Sequence, residues 1–435
     1  MLEFGTDGVR GKANSELTSE FALRLGRAVA SVLPGSTFLV GRDTRISGTM
    51  LQSAFSAGIA SMGSTVLDLG VIPSPGVSFL ASKLRLCGAV ISASHNPFFD
   101  NGIKILGMGG AKLDSAIERE IEDRLHGELA LGESVGTITD ATHLASDYVS
   151  YLSSVDLVGE LTGLKVVLDC ANGASSFYTR SVFESYGATA VVVSDQPNGV
   201  NINLNCGSTH IDQLSRAVIA EGADLGLAFD GDADRVLAVD SSGSILDGDA
   251  IMGYIATFLQ DLGLLRHSGI ALTVMSNLGL KQFLKSRGIT TVDTPVGDRN
   301  VFEAMERYDY VLGGEQSGHI ILRDIASTGD GMLTGLIFAT ALLSQNADLS
   351  NGIVRQYNPF PQILKNVRVE SGASQIVASL ADEIRLAQNR LGETGRILIR
   401  PSGTEPLVRI MVEAQDQLVA NEIVEHFVSL ASKAF

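Results

Sequence analysis

The segment Ala89–Ile105 holds a hydroxyl, an imidazole and an ammonium group, on Ser94, His95 and Lys104. The apolar run at its start predicts a buried strand, and the Asn-Pro pair after His95 predicts that this strand ends in a loop. Asp100–Gly102 is predicted to form a tight turn that leads into a second strand. We therefore expect the three groups at the mouth of two strands, with Ser94 near the surface; the alternative is a hairpin end whose polar residues only face water.

A serine hydroxyl is a weak nucleophile until a base or a metal activates it. A candidate activator is the loop of Asp230, Asp232 and Asp234, which lies between two apolar runs that predict strands. Three carboxylates at this spacing repel one another unless a cation neutralises them, and an all-oxygen set of ligands favours Mg²⁺ or another hard cation. The alternative is a solvated acidic turn without a metal.

A further loop lies between Arg400 and Arg409 and contains Ser402, Gly403 and Thr404. Arginine side chains, hydroxyl groups and backbone amides match the oxygen atoms of a phosphate group. The loop therefore predicts an anion-binding site, and an ordinary turn is the alternative.

Strand–helix–strand units whose helices end at glycine recur over Thr37–Leu69, Lys165–Val193 and Ile270–Val292. They are followed by the strand–loop–strand segments Ala89–Ile105, Leu225–Val239 and Tyr310–Leu322. Such alternation predicts an α/β fold with mainly parallel strands, in which loops at the carboxyl ends of strands bind ligands. We expect the three loops to occupy equivalent places and to face one cleft. The alternative is that the three units resemble one another only because α/β units in general look alike.

The order of elements changes after Tyr357–Pro361, where two prolines predict a linker. The predicted fold is α/β, with three similar mixed α/β domains, a smaller C-terminal α+β domain and the active site in a central cleft. The predicted domains are 1–150 with the serine loop, 151–250 with the aspartate loop, 251–361 with a third loop and 362–435 with the anion loop. Three further predictions are a linker at 132–145, an exposed acidic helix at Asp114–Arg124 and a single helix at Ala373–Leu391.

The chain of 435 residues carries a net charge of −17 and three scattered cysteines. An acidic chain argues against binding to nucleic acid or to anionic membranes, which attract basic surfaces. Scattered cysteines suit reduced thiols, no signal-peptide pattern is present, and no apolar stretch is long enough to span a bilayer. We expect a cytoplasmic monomer or homodimer whose partner is a small molecule.

Five motifs spread along the whole chain resemble the α-D-phosphohexomutase superfamily: Phe4–Gly11, Ser92–Lys104, Asp230–Arg235, Gly313–His319 and Arg400–Met411. The resemblance implies that Ser94 is carried as phosphoserine and gives its phosphoryl group to a hexose monophosphate. The resulting bisphosphate then turns end for end and returns its other phosphate to Ser94. A mobile C-terminal domain would let this intermediate turn without leaving.

The resemblance also assigns roles to individual residues. It implies one Mg²⁺ per chain, held by Ser94, Asp230, Asp232 and Asp234. Lys104 is implied as a general acid/base or charge-stabilising group, and Arg10 and His95 as active-site cations or hydrogen-bond donors. Substrate contacts are implied for Glu315 and Ser317 with sugar hydroxyls, for His319 as a nearby polar contact, and for phosphate with Arg400, Ser402, Gly403, Thr404 and Arg409.

Within the superfamily the motifs resemble the glucosamine-phosphate branch. This implies an isomerase that interconverts glucosamine 6-phosphate and glucosamine 1-phosphate and feeds the synthesis of amino-sugar nucleotides and cell-wall precursors. The near alternative is a phosphomannomutase or phosphoglucomutase, against which Gln316 argues because methionine is commoner there in that branch. The distant alternative is a catalytically silent regulator that binds sugar phosphates, and it would not need Ser94, the three aspartates or Lys104.

Overall fold

The computed structural model describes residues 8–33, 35–127, 129, 132–345, 349, 352–353, 355–369, 372–401 and 407–433. The chain divides into two compact units. The first consists of Met1–Val274 and Val292–Val354, and the second of Met275–Thr291 and Arg355–Phe435.

A six-stranded sheet opens the first unit, in the order β1-β5-β4-β2-β3-β6. Its strands are β1 (Val9–Lys12), β2 (Thr37–Arg42), β3 (Thr65–Val71), β4 (Cys87–Ile91), β5 (Asp100–Leu106) and β6 (Ile138–Asp140). The accompanying helices are α1 (Ser19–Val32), α2 (Gly48–Ala60), α3 (Ser74–Leu84), α4 (Ser115–His126) and α5 (Ala145–Leu152), with 3₁₀ turns at Met108–Gly110 and Thr142–Leu144. Helices α1, α2 and α4 contribute to one core with the sheet, in which Phe38, Phe55 and Ile59 are fully buried.

A five-stranded sheet follows, in the order β11-β10-β9-β7-β8. Its strands are β7 (Lys165–Asp169), β8 (Thr189–Val193), β9 (Leu225–Phe229), β10 (Val236–Asp240) and β11 (Ile245–Leu246). They are accompanied by a 3₁₀ turn at Ala174–Phe177 and by α6 (Thr179–Glu184) and α7 (Asp212–Glu221). All five residues of β9 are buried, as a central strand covered on both faces requires.

The third sheet has the order β13-β12-β14-β15. In chain order, the elements of this segment are α8 (Gly248–Asp261), a 3₁₀ turn at Arg266–Ser268, β12 (Gly269–Thr273), α9 (Leu278–Ser286), β13 (Thr290–Thr294), α10 (Asp298–Tyr308), β14 (Leu312–Gly314), β15 (Ile320–Leu322) and α11 (Gly331–Ser344). Helix α9 belongs to the second compact unit. Helix α11 is buried over nearly its whole length, as its largely apolar sequence indicates. Within the described part of the chain, no helix is long and apolar enough to cross a membrane.

In each of these three sheets, four strands lie side by side in the same spatial order. They run β5-β4-β2-β3 in the first sheet, β10-β9-β7-β8 in the second and β15-β14-β12-β13 in the third. In each sheet, the pair that flanks a predicted loop is antiparallel: β4 with β5, β9 with β10 and β14 with β15. The prediction that the three loops occupy equivalent places in repeated units is confirmed.

The second unit contains a three-stranded antiparallel sheet in the order β16-β18-β17. Its remaining elements are β16 (Gln362–Arg368), α12 (Ala373–Ser379), α13 (Ala381–Leu391), a 3₁₀ turn at Gly392–Thr394, β17 (Gly395–Pro401), β18 (Leu407–Ala414) and α14 (Gln417–Lys433). Val408, Ile410 and Val412 alternate along β18 and pack with Phe427 in a core of their own. The α/β class with a smaller α+β C-terminal part is therefore confirmed.

Four local predictions were wrong. Asp100–Gly102 is not a turn, because these residues begin β5 and pair with the edge strand β1. The segment 132–145 is more than a linker, since β6 extends the first sheet alongside β3. The helix predicted at Ala373–Leu391 is interrupted at Leu380. The acidic helix α4 is not wholly solvated, because Glu118 forms an ion pair with Arg299 and its side chain is 13% exposed.

Candidate active site

Ser94 lies in the loop after β4 and is buried, with 1% of its surface exposed. The prediction of a near-surface position was wrong, because the loop is covered by the aspartate loop of the second sheet. The hydroxyl of Ser94 donates a hydrogen bond to Oδ2 of Asp230 at 2.6 Å. This approach depends on Gly231, where a β-carbon would lie 2.7 Å from the carbonyl oxygen of Ser94. The serine and aspartate loops are thus brought together as the sequence predicted.

Asp230, Asp232 and Asp234 follow β9 and are all buried, and each offers a carboxylate oxygen within 4.8 Å of the others. Oδ1 of Asp232 and Oδ1 of Asp234 are buried and have no hydrogen-bond partner among the described residues. A buried carboxylate oxygen without a donor is costly, and a cation would satisfy it. Because every donor here is an oxygen atom, the site fits a hard divalent cation.

The charges of the cluster point the same way. Burial, together with the charges of Asp234 and Asp232, raises the pKa of the Asp230 carboxyl well above its usual range. Burial opposes ionisation of Asp234 as well, but Lys104 and His319 hold the pKa of that carboxyl well below its usual range. All three carboxyl groups are buried, so a solvated acidic turn is not what the structure shows.

Lys104 is carried by β5 and reaches the aspartate loop. Its ammonium group lies 3.0 Å from Oδ2 of Asp232 and 3.5 Å from Oδ2 of Asp234. Ser74, at the start of α3, donates its hydroxyl to the same Asp232 oxygen at 2.6 Å. Ser74 was not found from the sequence, since a serine before a proline signals only a helix start. Both contacts engage Oδ2 of Asp232 and leave Oδ1 for another ligand.

A cavity of about 290 Å³ joins the three loops. Among the residues predicted from the sequence, its walls include Arg10, Ser94, Lys104, Asp234, Glu315 and His319. Arg10 arrives on β1, which pairs with β5 so that Arg10 stands opposite Gly102. The expectation that the three loops face one cleft is therefore met within the first unit.

The two predicted histidines have different surroundings. Nδ1 of His95 lies 3.3 Å from the Ser94 hydroxyl. Burial and the charges of Arg235 and Arg10 lower the pKa of His95 to about 4, which favours its role as a neutral hydrogen-bonding group over that of a cation. His319 is 3% exposed, and its Nδ1 lies 3.6 Å from Oδ2 of Asp234.

The third loop supplies Glu315, which accepts hydrogen bonds from the amide of Gly297 at 2.9 Å and from the hydroxyl of Ser317 at 3.2 Å. The cavity wall also contains Asp298, which sequence reasoning missed. This carboxylate lies 3.7 Å from Nε2 of His319 and forms an ion pair with Lys112. Gly-Asp-Arg before a helix gave no local signal of these distant partners.

The second unit carries the predicted anion loop. Arg400 on β17 stands directly opposite Arg409 on β18, and both side chains are half-buried. Partial burial and the charge of Arg409 lower the pKa of Arg400, as expected for two neighbouring cations. Ser402, Gly403 and Thr404 lie outside the described residues.

Comparison with known proteins adds the family. Models of the phosphoglucomutase/phosphomannomutase alpha/beta/alpha domains I, II and III match residues 1–130, 146–243 and 247–360, and the model of the C-terminal domain matches residues 364–430. The phosphoglucosamine mutase of Carboxydothermus hydrogenoformans is 47% identical over 443 residues, covering 99% of each chain. That of Corynebacterium urealyticum is 48% identical over 433 residues, covering 97% of each. The chain belongs to the phosphoglucosamine mutase family.

Solved structures show the same fold. A phosphoglucomutase/phosphomannomutase family protein from Burkholderia thailandensis has a TM-score of 0.83 at 22% identity, covering 100% of this chain and 98% of its own. The N-acetylphosphoglucosamine mutase of Aspergillus fumigatus, solved with GlcNAc-6P and magnesium, has a TM-score of 0.71 at 19% identity, covering 100% and 96%.

As a member of this family, the chain is an isomerase, and the expectation of an enzyme is confirmed. The whole-chain relatives bear the same family name, which favours this branch over the phosphomannomutase or phosphoglucomutase alternative. The roles of individual site residues and the exact domain boundaries stay predictions.

Proposed function

We propose that this chain interconverts glucosamine 6-phosphate and glucosamine 1-phosphate through phosphoserine 94 and a bisphosphate intermediate. The observation that carries the proposal is the Ser94 hydroxyl, buried beside three carboxylates in a cavity lined by cations. A binding regulator has no use for a serine oriented by a carboxylate in this way, whereas a phosphoryl-transfer enzyme needs its nucleophile fixed in line with the substrate.

In the first half-reaction, the bond between phosphorus and the Ser94 oxygen breaks while a sugar hydroxyl forms a new bond to phosphorus. The hydroxyl proton leaves and the serine oxygen regains a proton, so that glucosamine 1,6-bisphosphate and free Ser94 result. The second half-reaction reverses these bonds with the other phosphate of the same intermediate. The net outcome is an isomerisation in which no phosphate is gained or lost.

Three cations of the first unit are proposed to stabilise the transferring group. Lys104 lies next to Asp232, and Arg10 and Arg235 line the same cavity. The phosphoryl group carries its negative charge on three oxygens in a loose transition state, so fixed positive groups lower its free energy. Glu315 and Ser317 provide a carboxylate and a hydroxyl group in the third loop. We propose that both side chains contact hydroxyl groups of the sugar.

One Mg²⁺ per chain is proposed at Asp230, Asp232 and Asp234, with a phosphoryl oxygen on Ser94 as a further ligand. The Oδ1 atoms of Asp232 and Asp234 support this assignment, because neither accepts a hydrogen bond from the described residues. A metal at this place would act as a Lewis acid toward the serine oxygen as phosphorus leaves it. The aspartates themselves hold the Ser94 hydroxyl toward the cavity and fix Lys104.

The proposed contribution of the second unit is a phosphate site at Arg400 and Arg409, which would also involve Ser402, Gly403 and Thr404. Their paired guanidinium groups repel one another, and a phosphate would relieve that repulsion. The site would accept the phosphate that is not being transferred, in either orientation of the sugar.

Replacing Arg400 by alanine should weaken binding of glucosamine 6-phosphate and glucosamine 1-phosphate alike. Loss of one charge-assisted contact costs about 1.5–3 kcal/mol, so both dissociation constants should rise roughly 10- to 150-fold. Calorimetric titration of each sugar phosphate measures this. Arg390→Ala, which removes an exposed arginine paired with Glu422 in the same unit, serves as the control and should change neither constant. An effect on only one of the two substrates would rule out a shared site.

The proposed substrate is tested by a coupled assay with glucosamine 6-phosphate, glucose 6-phosphate and mannose 6-phosphate, each primed with a hexose 1,6-bisphosphate. We expect the highest kcat/KM for glucosamine 6-phosphate, because the whole-chain relatives are named for that sugar. A higher kcat/KM for glucose or mannose 6-phosphate would instead support the phosphomannomutase or phosphoglucomutase alternative.

Three further assignments are proposed. The domain boundaries are placed near residues 150, 250 and 361, which leave each of the four sheets within one domain. The cytoplasm is the proposed location, and the thiols of Cys87, Cys170 and Cys206, all free and buried, suit a reducing compartment. The proposed assembly is a monomer or a homodimer.

A further inference from the structure

Arg45, in the loop after β2, is almost completely buried, and its guanidinium group uses all five of its N–H donors. Nε donates to Oδ2 of Asp43 at 2.9 Å. One terminal nitrogen donates to the carbonyl oxygens of Ser94 and Asn96, each at 2.8 Å. The other donates to the carbonyls of Pro97 and Asp100. One side chain thereby binds four carbonyl groups of the loop that carries the nucleophile.

A second side chain reaches the same loop from the second sheet region. Nδ2 of Asn203 donates to the carbonyl oxygens of Ser94 at 2.9 Å and Asn96 at 3.1 Å. The loop is also tied at its start, because the Ser92 hydroxyl donates to Asp43 at 2.6 Å and accepts from the amide of Ser94 at 2.9 Å. We call Arg45 and Asn203, with the carbonyls that they bind, the carbonyl clamp.

The clamp stabilises a backbone conformation at Ser94 that is unfavourable by itself. Ser94 has a φ of 53°, in the left-handed region that costs a non-glycine residue free energy. Carbonyl dipoles that converge on one point also repel one another, unless a cation lies among them. A buried guanidinium supplies that charge, and its planar fork matches several acceptors at once in a way that an ammonium cannot.

We propose that Arg45 and Asn203 are positioning residues for phosphoryl transfer, which they support by turning the carbonyls of the Ser94 loop inward and its hydroxyl toward Asp230. This inference rests on the proposed role of Ser94. Neither residue touches the hydroxyl itself, so their effect is on the alignment of the serine oxygen. A displacement of about 1 Å at the reacting atom can reduce the rate about 100-fold.

The test uses Arg45→Lys and Asn203→Ala in the full chain, assayed with glucosamine 6-phosphate and a hexose 1,6-bisphosphate. Lysine keeps the buried charge beside Asp43 but has three donors and a single nitrogen, so it cannot span four carbonyls. We expect kcat to fall roughly 100-fold in Arg45→Lys and about 10-fold in Asn203→Ala, with KM changed by less than about threefold. The folded, competent fraction is counted from the phosphate mass on the Ser94 peptide.

Arg24→Lys is the matched control, because Arg24 also binds two backbone carbonyls of the first unit, those of Leu125 and Gly127, away from Ser94. If Arg45 and Asn203 had only a structural role, their variants would behave like Arg24→Lys. All three would unfold at a lower urea concentration, and kcat per phosphorylated molecule would be unchanged. That result, or a rise in KM without a fall in kcat, would overturn the proposal. If Arg45→Lys does not fold, Asn203→Ala decides the matter. Absence of turnover in the wild-type protein would contradict the proposed function. If the wild-type protein is active and the variants have the same kcat, only the proposed role of the clamp is contradicted.

Discussion

Replacing Ser94 by alanine is expected to reduce the interconversion of glucosamine 6-phosphate and glucosamine 1-phosphate to background, because the phosphoryl group then has no resting place on the protein. The purified native protein should carry the mass of one phosphate on the peptide that contains Ser94, at least in part. That mass should be missing from the alanine variant. Binding of the sugar phosphates should persist, since Arg400 and Arg409 are unchanged.

The same substitution should cost some stability, since Ser94 is buried and donates to Asp230. Leaving a buried acceptor without its donor costs about 1–3 kcal/mol, which urea unfolding would measure. Ser185→Ala, at the exposed end of α6, is the control for loss of a serine hydroxyl and should retain full activity. Substantial turnover by a homogeneous Ser94→Ala protein would end the proposal of a phosphoserine relay.

Replacing Asp232 by alanine is expected to abolish both metal binding and turnover while the fold stays intact. The substitution removes Oδ1 of Asp232, a buried oxygen that accepts no hydrogen bond from the described residues, and it also releases Lys104 and Ser74. Loss of Lewis-acid stabilisation worth several kcal/mol corresponds to a fall in kcat of about 1,000-fold or more. Calorimetric titration with Mg²⁺ and the coupled assay give the two readings, and circular dichroism reports the fold.

Asp123→Ala provides the control, since Asp123 is an exposed acid on α4 that is far from the cluster in sequence and adds the same change of net charge. It should bind one Mg²⁺ and turn over normally. Near-normal activity in Asp232→Ala would contradict the metal assignment. The same holds if activity survives exhaustive chelation, or if titration of the native protein finds two ions.

The sequence predicted that the serine, aspartate and third loops would face one cleft, since each loop follows an apolar run that indicates a strand, and the structure brings them to one cavity. The roles of Ser94, the aspartates and Lys104 stay predictions. The sequence could not identify Ser74 or Arg45. Ser74 begins α3 and Arg45 lies in the loop after β2. The importance of each comes from partners far along the chain, Asp232 for Ser74 and the carbonyls of the Ser94 loop for Arg45. The Ser74–Asp232 pair depends on how the first sheet region packs against the second, and the Arg45 contacts depend on the pairing of β2 with β4. Local sequence pattern encodes neither.

The errors have a related cause. Asp100–Gly102 has the composition of a turn, but β1 pairs with it and draws it into an extended strand. Ser94 follows a strand end and was expected near water, yet the aspartate loop covers it. In both cases a tertiary partner overrode a sound local preference. The repeated α/β unit, by contrast, could be predicted, because the order of its strands and helices can be read from the sequence.

The hydrogen bonds that the aspartate loop forms with Ser94, Lys104 and Ser74 have a consequence for the order in which the site forms during folding. The Ser94–Asp230, Lys104–Asp232 and Ser74–Asp232 pairs span 136, 128 and 158 residues. Contacts of such separation close late in folding, because the chain between them must first be ordered. During synthesis, the sheet around Ser94 emerges well before the aspartates exist. A chain that ends before Asp230 therefore lacks the hydrogen bond that orients the Ser94 hydroxyl, so the arrangement of the site depends on a part of the chain that is synthesised much later than the serine itself.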